Sequence, residues 1–235
     1  RRGYDLILLA RTEFDLASAK KQLEEEFKVN VHTLSADLSK EDTARMITEW
    51  LEQKKIKLNC LCNVVGIGGS EDFLQASPEH LRYMVDLNLN SAIALSARLV
   101  PMLEKNGPSH ILNVASMAGF APIPLKNIYS ATKSAVIYFS NGLRLQLKDK
   151  NIKVSCVAPG PVYTKTEVLH TTRKQLGKWG DRIAVEPGRV GEIAVEKMLQ
   201  GRYMIVPGKL AGMMAYLLRA LPSRWAAGIY KLVEK

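Results

Sequence analysis

Residues 58–70 read Leu-Asn-Cys-Leu-Cys-Asn-Val-Val-Gly-Ile-Gly-Gly-Ser. A largely apolar run ends in three glycines within four residues, Gly66, Gly68 and Gly69. A near-continuous apolar run closed by a turn signal fits a strand buried on both faces, as in a parallel sheet. Glycines placed directly after such a strand let the backbone approach a ligand closely, a phosphate above all. The stretch therefore points to an open α/β sheet. It also asks whether its glycines are a phosphate loop.

Five further runs have strand character: residues 4–10, 30–35, 110–116, 152–158 and 203–206. Most are rich in Val, Ile and Leu, and 30–35 is polar enough for an edge. Helical periodicity fills the intervals. Residues 12–28 carry Leu16, Leu23 and Phe27 on one repeat. Residues 39–53 open on Ser39 as an expected cap, with Glu41 and Asp42 suited to a helix N-terminus. Residues 77–104 make one long helix or two. Residues 128–150 carry Val136, Phe139, Leu143 and Leu147 on one face, and 186–200 form another helix. Strand and helix alternating at this spacing predict βαβ units in a doubly wound parallel sheet with helices on both faces. No linker or repeat divides the chain, so residues 1–235 are expected to form one domain.

The net charge is +10, from 33 Lys and Arg against 23 Asp and Glu. The basic residues lie in short clusters along the chain without a nucleic-acid-binding signature, so no nucleic-acid partner is expected. Cys60, Cys62 and Cys156 sit in apolar runs with no metal-ligand spacing around them. They are expected to be small core residues in a reducing compartment, which places the protein in the cytoplasm. The apolar run 210–218 is half of the roughly 20 residues that a membrane span needs. Arg1-Arg2-Gly3 reads as the end of a helix whose body is not in the sequence.

Chemistry concentrates in Tyr129-Ser130-Ala131-Thr132-Lys133. Positions i and i+4 share a helix face, so the Tyr129 hydroxyl and Lys133 ammonium point into one space. A phenol with a pKa of about 10 is a poor acid or base at neutrality, and a fixed cation favours its phenolate. A pair so tuned exchanges a proton with a carbonyl or alcohol oxygen; a surface Tyr and Lys fit the same spacing. Thirteen residues earlier, Ser116 ends the 110–116 strand. It either caps the turn or faces a ligand at the carboxyl end of the sheet. Asn88, between leucines in Asp86-Leu87-Asn88-Leu89, is either bonded to backbone or part of a site. Residues 157–164, Val-Ala-Pro-Gly-Pro-Val-Tyr-Thr, are a strand and a stiff turn.

Taken together and in this order, these motifs resemble the short-chain dehydrogenase/reductases. The resemblance implies that Tyr129 is the acid/base and that Lys133 lowers its pKa and holds the nicotinamide ribose. Ser116 would bind the substrate oxygen, and Asn88 would anchor a water leading to Lys133. Pro159, Gly160, Val162 and Thr164 would fix the nicotinamide carboxamide. At the end of the first strand given, Ala10-Arg11-Thr12 has no acid for a ribose 2′-hydroxyl. Arg11 suits a 2′-phosphate instead, so the expected cofactor is NADP(H). Asp37 and Leu38 match the adenine-contacting position; Asp37 could equally begin the next helix.

The resemblance departs in two places. The family's glycine-rich loop, with the strand before it, would precede residue 4 and is expected to be missing from this chain. Its Asn-Asn-Ala-Gly motif appears as Asn63-Val64-Val65-Gly66, which keeps Asn63 and Gly66 for the cofactor and questions the sheet bonds of the lost Asn. The glycines of 66–69 thus fall beside the nicotinamide rather than the pyrophosphate, and Gly68 and Gly69 would merely loosen the turn.

Residues 165–185 match the variable substrate loop, with His170 and Trp179 as pocket candidates and Gly177 and Gly180 as hinges. Residues 209–235 are an apolar C-terminal extension. Three roles stay open for 210–233: closing over a lipophilic substrate, packing at a subunit interface, or resting on a membrane surface. The implied activity is hydride transfer between NADP(H) and a small-molecule carbonyl or secondary alcohol. The alternative is a non-catalytic binding protein on the same fold. A homo-oligomer, dimer or tetramer, is expected from the apolar stripe on the Tyr129 helix. No metal site is expected.

Overall fold

The computed structural model describes residues 2–68, 72–123, 125–162, 184–222, 224–226 and 228. Six parallel strands alternate with helices: β1 (Leu6–Ala10), α1 (Glu13–Phe27), β2 (Val31–Ser35), α2 (Thr43–Gln53), β3 (Cys60–Asn63), α3 (Pro78–Val85), α4 (Ser91–Lys105), β4 (Ser109–Val114), α5 (Asn127–Gln146), β5 (Ile152–Val157), α6 (Pro187–Leu199), β6 (Met204–Ile205) and α7 (Lys209–Ala220). Every predicted strand is present, shortened at its ends where the ladder stops.

The ladders fall into two parts. β1 pairs with β2, and β3, β4, β5 and β6 pair in that order, all parallel. Among the described residues no strand pairs with the remaining edge of β1 or of β3. Every residue of β1 is accordingly only half-buried, although the sequence predicts burial on both faces. Cys60 and Cys62 depart from expectation for the same reason. Cys156 is buried in β5, but Cys60 is half-buried and Cys62 exposed on β3, which lacks a neighbour on one side.

Period-two alternation assigns the two faces of the larger part. Ile111 of β4 and Ile152 and Val154 of β5 join Leu95, Leu99 and Leu103 of α4 and Ile47 and Leu51 of α2. Leu112, Val157 and Ile205 face the other way, onto Ala194 and Met198 of α6. Ile7 and Leu9 of β1 and Leu34 of β2 pack against the first cluster, so side chains join the two parts where the backbone ladder does not.

Two helix starts differ from expectation. Ser39 does not cap α2. Asp37 Oδ1 accepts from the Ser39 N–H (3.0 Å) and hydroxyl (2.7 Å), and this local turn defers the helix to Thr43, with Asp42 before it. The 77–104 stretch is one continuous run in which α3 and α4 are joined by a π-helical turn, Asp86–Asn90. Its one-residue surplus rotates Asn88 to a buried position.

After β4 a short 3₁₀ turn, Met117–Phe120, lies flat on α5. A Cβ built on Gly119 would stand 2.8 Å from the Lys133 carbonyl carbon and 2.9 Å from its oxygen. Backbone cannot retreat as a flexible side chain does, so Gly119→Ala is expected to destabilise the fold by about 1–3 kcal/mol in urea unfolding.

Candidate active site

The parallel ladders bring the carboxyl ends of β3, β4 and β5 to one edge, where open α/β sheets bind ligands. The carboxyl end of β1 reaches the same neighbourhood, since Arg11 Nη1 donates to the Tyr83 hydroxyl of α3 at 3.0 Å.

Ser116 follows β4 with extended backbone and does two things at once. Its Oγ accepts from the Ala118 N–H at 3.2 Å, which caps the 3₁₀ turn, and its hydroxyl lies close enough to the Tyr129 hydroxyl to favour the ionised phenol. A hydroxyl has one donor and two acceptor sites, so both are satisfied together. The turn-capping and ligand-facing alternatives for Ser116 are therefore compatible. The Met117 N–H donates to the Pro159 carbonyl at 2.9 Å, tying the Ser116 turn to the 159–162 turn after β5.

Lys133 lies one turn beyond Tyr129 on α5 and is 5% exposed. Its Nζ donates to the Val114 carbonyl at 3.0 Å and stands 5.8 Å from the Tyr129 ring centroid. Burial pulls its pKa down to about 8, which still leaves the ammonium charged at neutrality. Tyr129 moves opposite to expectation. Burial raises its pKa above the ordinary phenol value, and the Ser116 hydroxyl only partly offsets this. The Lys133 ammonium is bonded to the Val114 carbonyl, and burial outweighs any lowering that its charge, 5.8 Å from the ring centroid, exerts on the phenol.

Asn88 is committed to the glycine segment. Its Oδ1 accepts from the Ile67 N–H at 2.7 Å, and its Nδ2 donates to the Ile67 carbonyl at 2.8 Å and to Thr132 Oγ1 at 3.3 Å. The side-chain amide thus grips residues 66–68 as a neighbouring strand would. A Cβ on Gly66 would meet Asn88 Oδ1 at 3.0 Å and Lys133 Nζ at 3.2 Å, and one on Gly68 would meet the Tyr129 ring at 3.0 Å. Gly68 does more than loosen a turn, because it keeps the backbone clear of the phenol ring. Thr132 and Gly119 were not singled out by spacing. Thr132 bridges Asn88 to the Tyr129 carbonyl, to which it donates at 2.8 Å. Only their closeness to Tyr129 and Ser116 in sequence could have flagged them.

Asn63 pairs with Asn113 in the β3–β4 register, Nδ2 to Oδ1 at 2.8 Å, and Asn113 Nδ2 donates to Ser140 Oγ of α5 at 2.9 Å. This buried chain supplies a side-chain bond across the sheet despite Val64 and Val65. Asn63 Oδ1 is buried with no partner among the described residues.

The remaining nominated residues fall as follows. Arg11 and Thr12 are exposed at the end of β1, and Thr12 precedes α1 without a side-chain cap bond. The Ser39 hydroxyl and N–H, with Arg11 and Lys40 nearby, hold the Asp37 carboxyl below its usual value. The helix-leading alternative for Asp37 is thus present in part, as a turn before α2. Leu38 packs its side chain against the core. Pro159 is buried, and Gly160 and Val162 are half-buried. Thr164, and with it His170, Gly177, Trp179 and Gly180, lies outside the described residues. No group of three or more metal-ligating side chains occurs among the described residues.

A sequence profile described as "short chain dehydrogenase" matches residues 1–176. Very-long-chain 3-oxoacyl-CoA reductase-B of Danio rerio is 33% identical over 169 residues, 70% of this chain and 54% of that protein. The chain spans about half the length of such curated relatives. Among solved structures, the bulky-bulky ketone specific alcohol dehydrogenase of Comamonas testosteroni is 28% identical with a TM-score of 0.76, covering 94% of this chain and 83% of that one. A short-chain dehydrogenase of Sphingobium yanoikuyae in complex with NADPH is 27% identical with a TM-score of 0.75, covering 94% and 88%. The matched profile, the parallel sheet and the placing of Ser116, Tyr129 and Lys133 agree: the chain belongs to the short-chain dehydrogenase family.

Proposed function

We propose that the protein is an NADP(H)-linked oxidoreductase that interconverts a carbonyl compound and a secondary alcohol, with a lipophilic substrate favoured. The observation that carries this reading is the convergence of the neighbouring Ser116 and Tyr129 hydroxyls, the buried Lys133 ammonium and the side-chain-free flank of Gly66 and Gly68.

The residues present suit a nicotinamide dinucleotide. Gly66 leaves open the place that a Cβ would fill between Asn88 and Lys133. Lys133, with Asn63 and Gly66, would hold the nicotinamide ribose side, and Pro159, Gly160, Val162 and Thr164 the carboxamide. Asp37 and the Leu38 backbone would meet the adenine. Arg11 and Thr12 would hold a 2′-phosphate, and the NADPH bound to the Sphingobium relative supports that choice. The cofactor, when bound, supplies or accepts the hydride.

In the reducing direction the substrate oxygen gains negative charge and needs a donor already in place. A phenol is already neutral at pH 7 and burial raises the Tyr129 pKa further, so it holds the proton to be given, with the Ser116 hydroxyl beside it. Lys133, charged below about pH 8, stabilises the phenolate left behind. A ketone-specific alcohol dehydrogenase and a 3-oxoacyl reductase among the relatives support a carbonyl substrate. The helix α5 leaves Tyr138 and Leu145 exposed, which favours a homo-oligomer formed through that face.

Three measurements test this reading. Tyr129→Phe should lower kcat for carbonyl reduction by at least about a hundredfold while cofactor affinity, read by fluorescence titration, stays near wild type. Arg11→Asp should shift the NADPH-over-NADH ratio of kcat/KM by at least about tenfold, the worth of a lost charge-assisted bond. Reductive kcat should fall as pH rises past about 8, where Lys133 loses its proton, and the residual activity of Lys133→Met should lack that limb.

A further inference from the structure

We propose that α7, with Arg224 and Trp225 beyond it, forms a docking surface for an anionic lipid bilayer. Residues 210–218 carry no charge, and α7 is apolar on two sides. One stripe, Ala211, Ala215 and Leu218, is buried against Met117 and Ala121. The other stays open to solvent: Met213 is 65% exposed, Tyr216 79% and Leu217 49%, and Trp225 beyond the helix is 61% exposed. A helix that is apolar all round is ordinarily covered all round, and here one side is left uncovered.

The charge around this face selects the occupant. Residues 197–233 contain six Lys and Arg and no Asp or Glu. Of these, Lys209 and Arg219 flank the open stripe and Arg224 adjoins Trp225, all three exposed. Arg219 stands over the Phe120 ring, 5.8 Å from its centroid. A second copy docked face to face would set Lys209, Arg219 and Arg224 against their own counterparts, and residues 197–233 of neither copy bring a carboxylate. An anionic headgroup layer answers all of them. Tyr216 and Trp225 are the ring types that settle at headgroup level, and Met213 and Leu217 suit the acyl boundary. No helix among the described residues is long and apolar enough to cross a membrane, so the contact is with the surface. Because the buried stripe rests on Met117 and Ala121, either end of the turn that follows Ser116, the docked face adjoins the candidate active site.

The test is sedimentation of the full-length protein with vesicles of phosphatidylcholine alone and of phosphatidylcholine mixed with phosphatidylglycerol, at low and high salt. Binding to the mixed vesicles alone, weakened by salt, is expected. The triple variant Met213→Ser, Tyr216→Ser, Leu217→Ser should bind at least tenfold more weakly. Arg219→Gln with Arg224→Gln should lose roughly fivefold per charge, and it keeps the test open if the triple variant fails to fold. Turnover of a water-soluble ketone without vesicles should be unchanged in both, which separates this proposal from the proposed activity. Absence of vesicle binding, equal binding to both vesicle types, or an unaffected triple variant would overturn it. So would a fall in the triple variant's oligomer size, which would assign the face to a second copy.

Discussion

A buried ammonium is the constraint around which the catalytic end of this fold is arranged. Taking a lysine charge out of water is costly unless it is bonded, and Lys133 has its bond at the Val114 carbonyl. That contact requires α5 to lie close on β4. The close approach is met in three ways: Gly119 gives up its side chain, Asn113 reaches Ser140, and the Asn63–Asn113 pair locks the strand beneath. Tyr129 is placed as a consequence. Once α5 is fixed at Lys133, the residue one turn earlier meets the Ser116 turn.

The second support comes from the opposite direction. The π-helical turn between α3 and α4 adds a residue, and its product is an inward-facing Asn88. That amide holds Ile67 through both backbone groups, so the glycine segment is fixed without a ladder of its own. π turns lack the regular α hydrogen bonds and persist where something else repays them. Here the repayment is visible in Ile67 and Thr132.

Much of this was legible in the sequence because hydrophobic period and strand-end residues report topology directly. The runs around Ile111 and Val154 gave strands and their burial, and Tyr129 to Lys133 gave a shared helix face. What remained hidden depends on contacts between distant segments. Ser39 looks like a cap until Asp37 takes its hydroxyl. The surplus residue at Asp86–Asn90 leaves no mark in a helical pattern. Spacing puts Tyr129 and Lys133 together on one helix face, but it does not tell where an ammonium on a flexible stem will point. Gly68 reads as an ordinary turn glycine until the Tyr129 ring stands beside it, and nothing in the sequence marks Gly119 as lying against the Lys133 backbone.

The two-part sheet has a consequence for how the molecule opens. β1 and β2 share a complete backbone ladder with each other, and among the described residues side-chain packing and the Arg11–Tyr83 bond connect them to the rest. Units joined by side chains alone separate at lower free energy than units joined by a ladder, and their amides exchange sooner. Among the described residues, then, the end that carries Arg11 and Asp37 shares no backbone ladder with the end that carries Ser116, Tyr129 and Lys133. A dinucleotide long enough to touch both would act as a cross-brace, suppressing sub-global opening and making its own binding a part of the protein's rigidity.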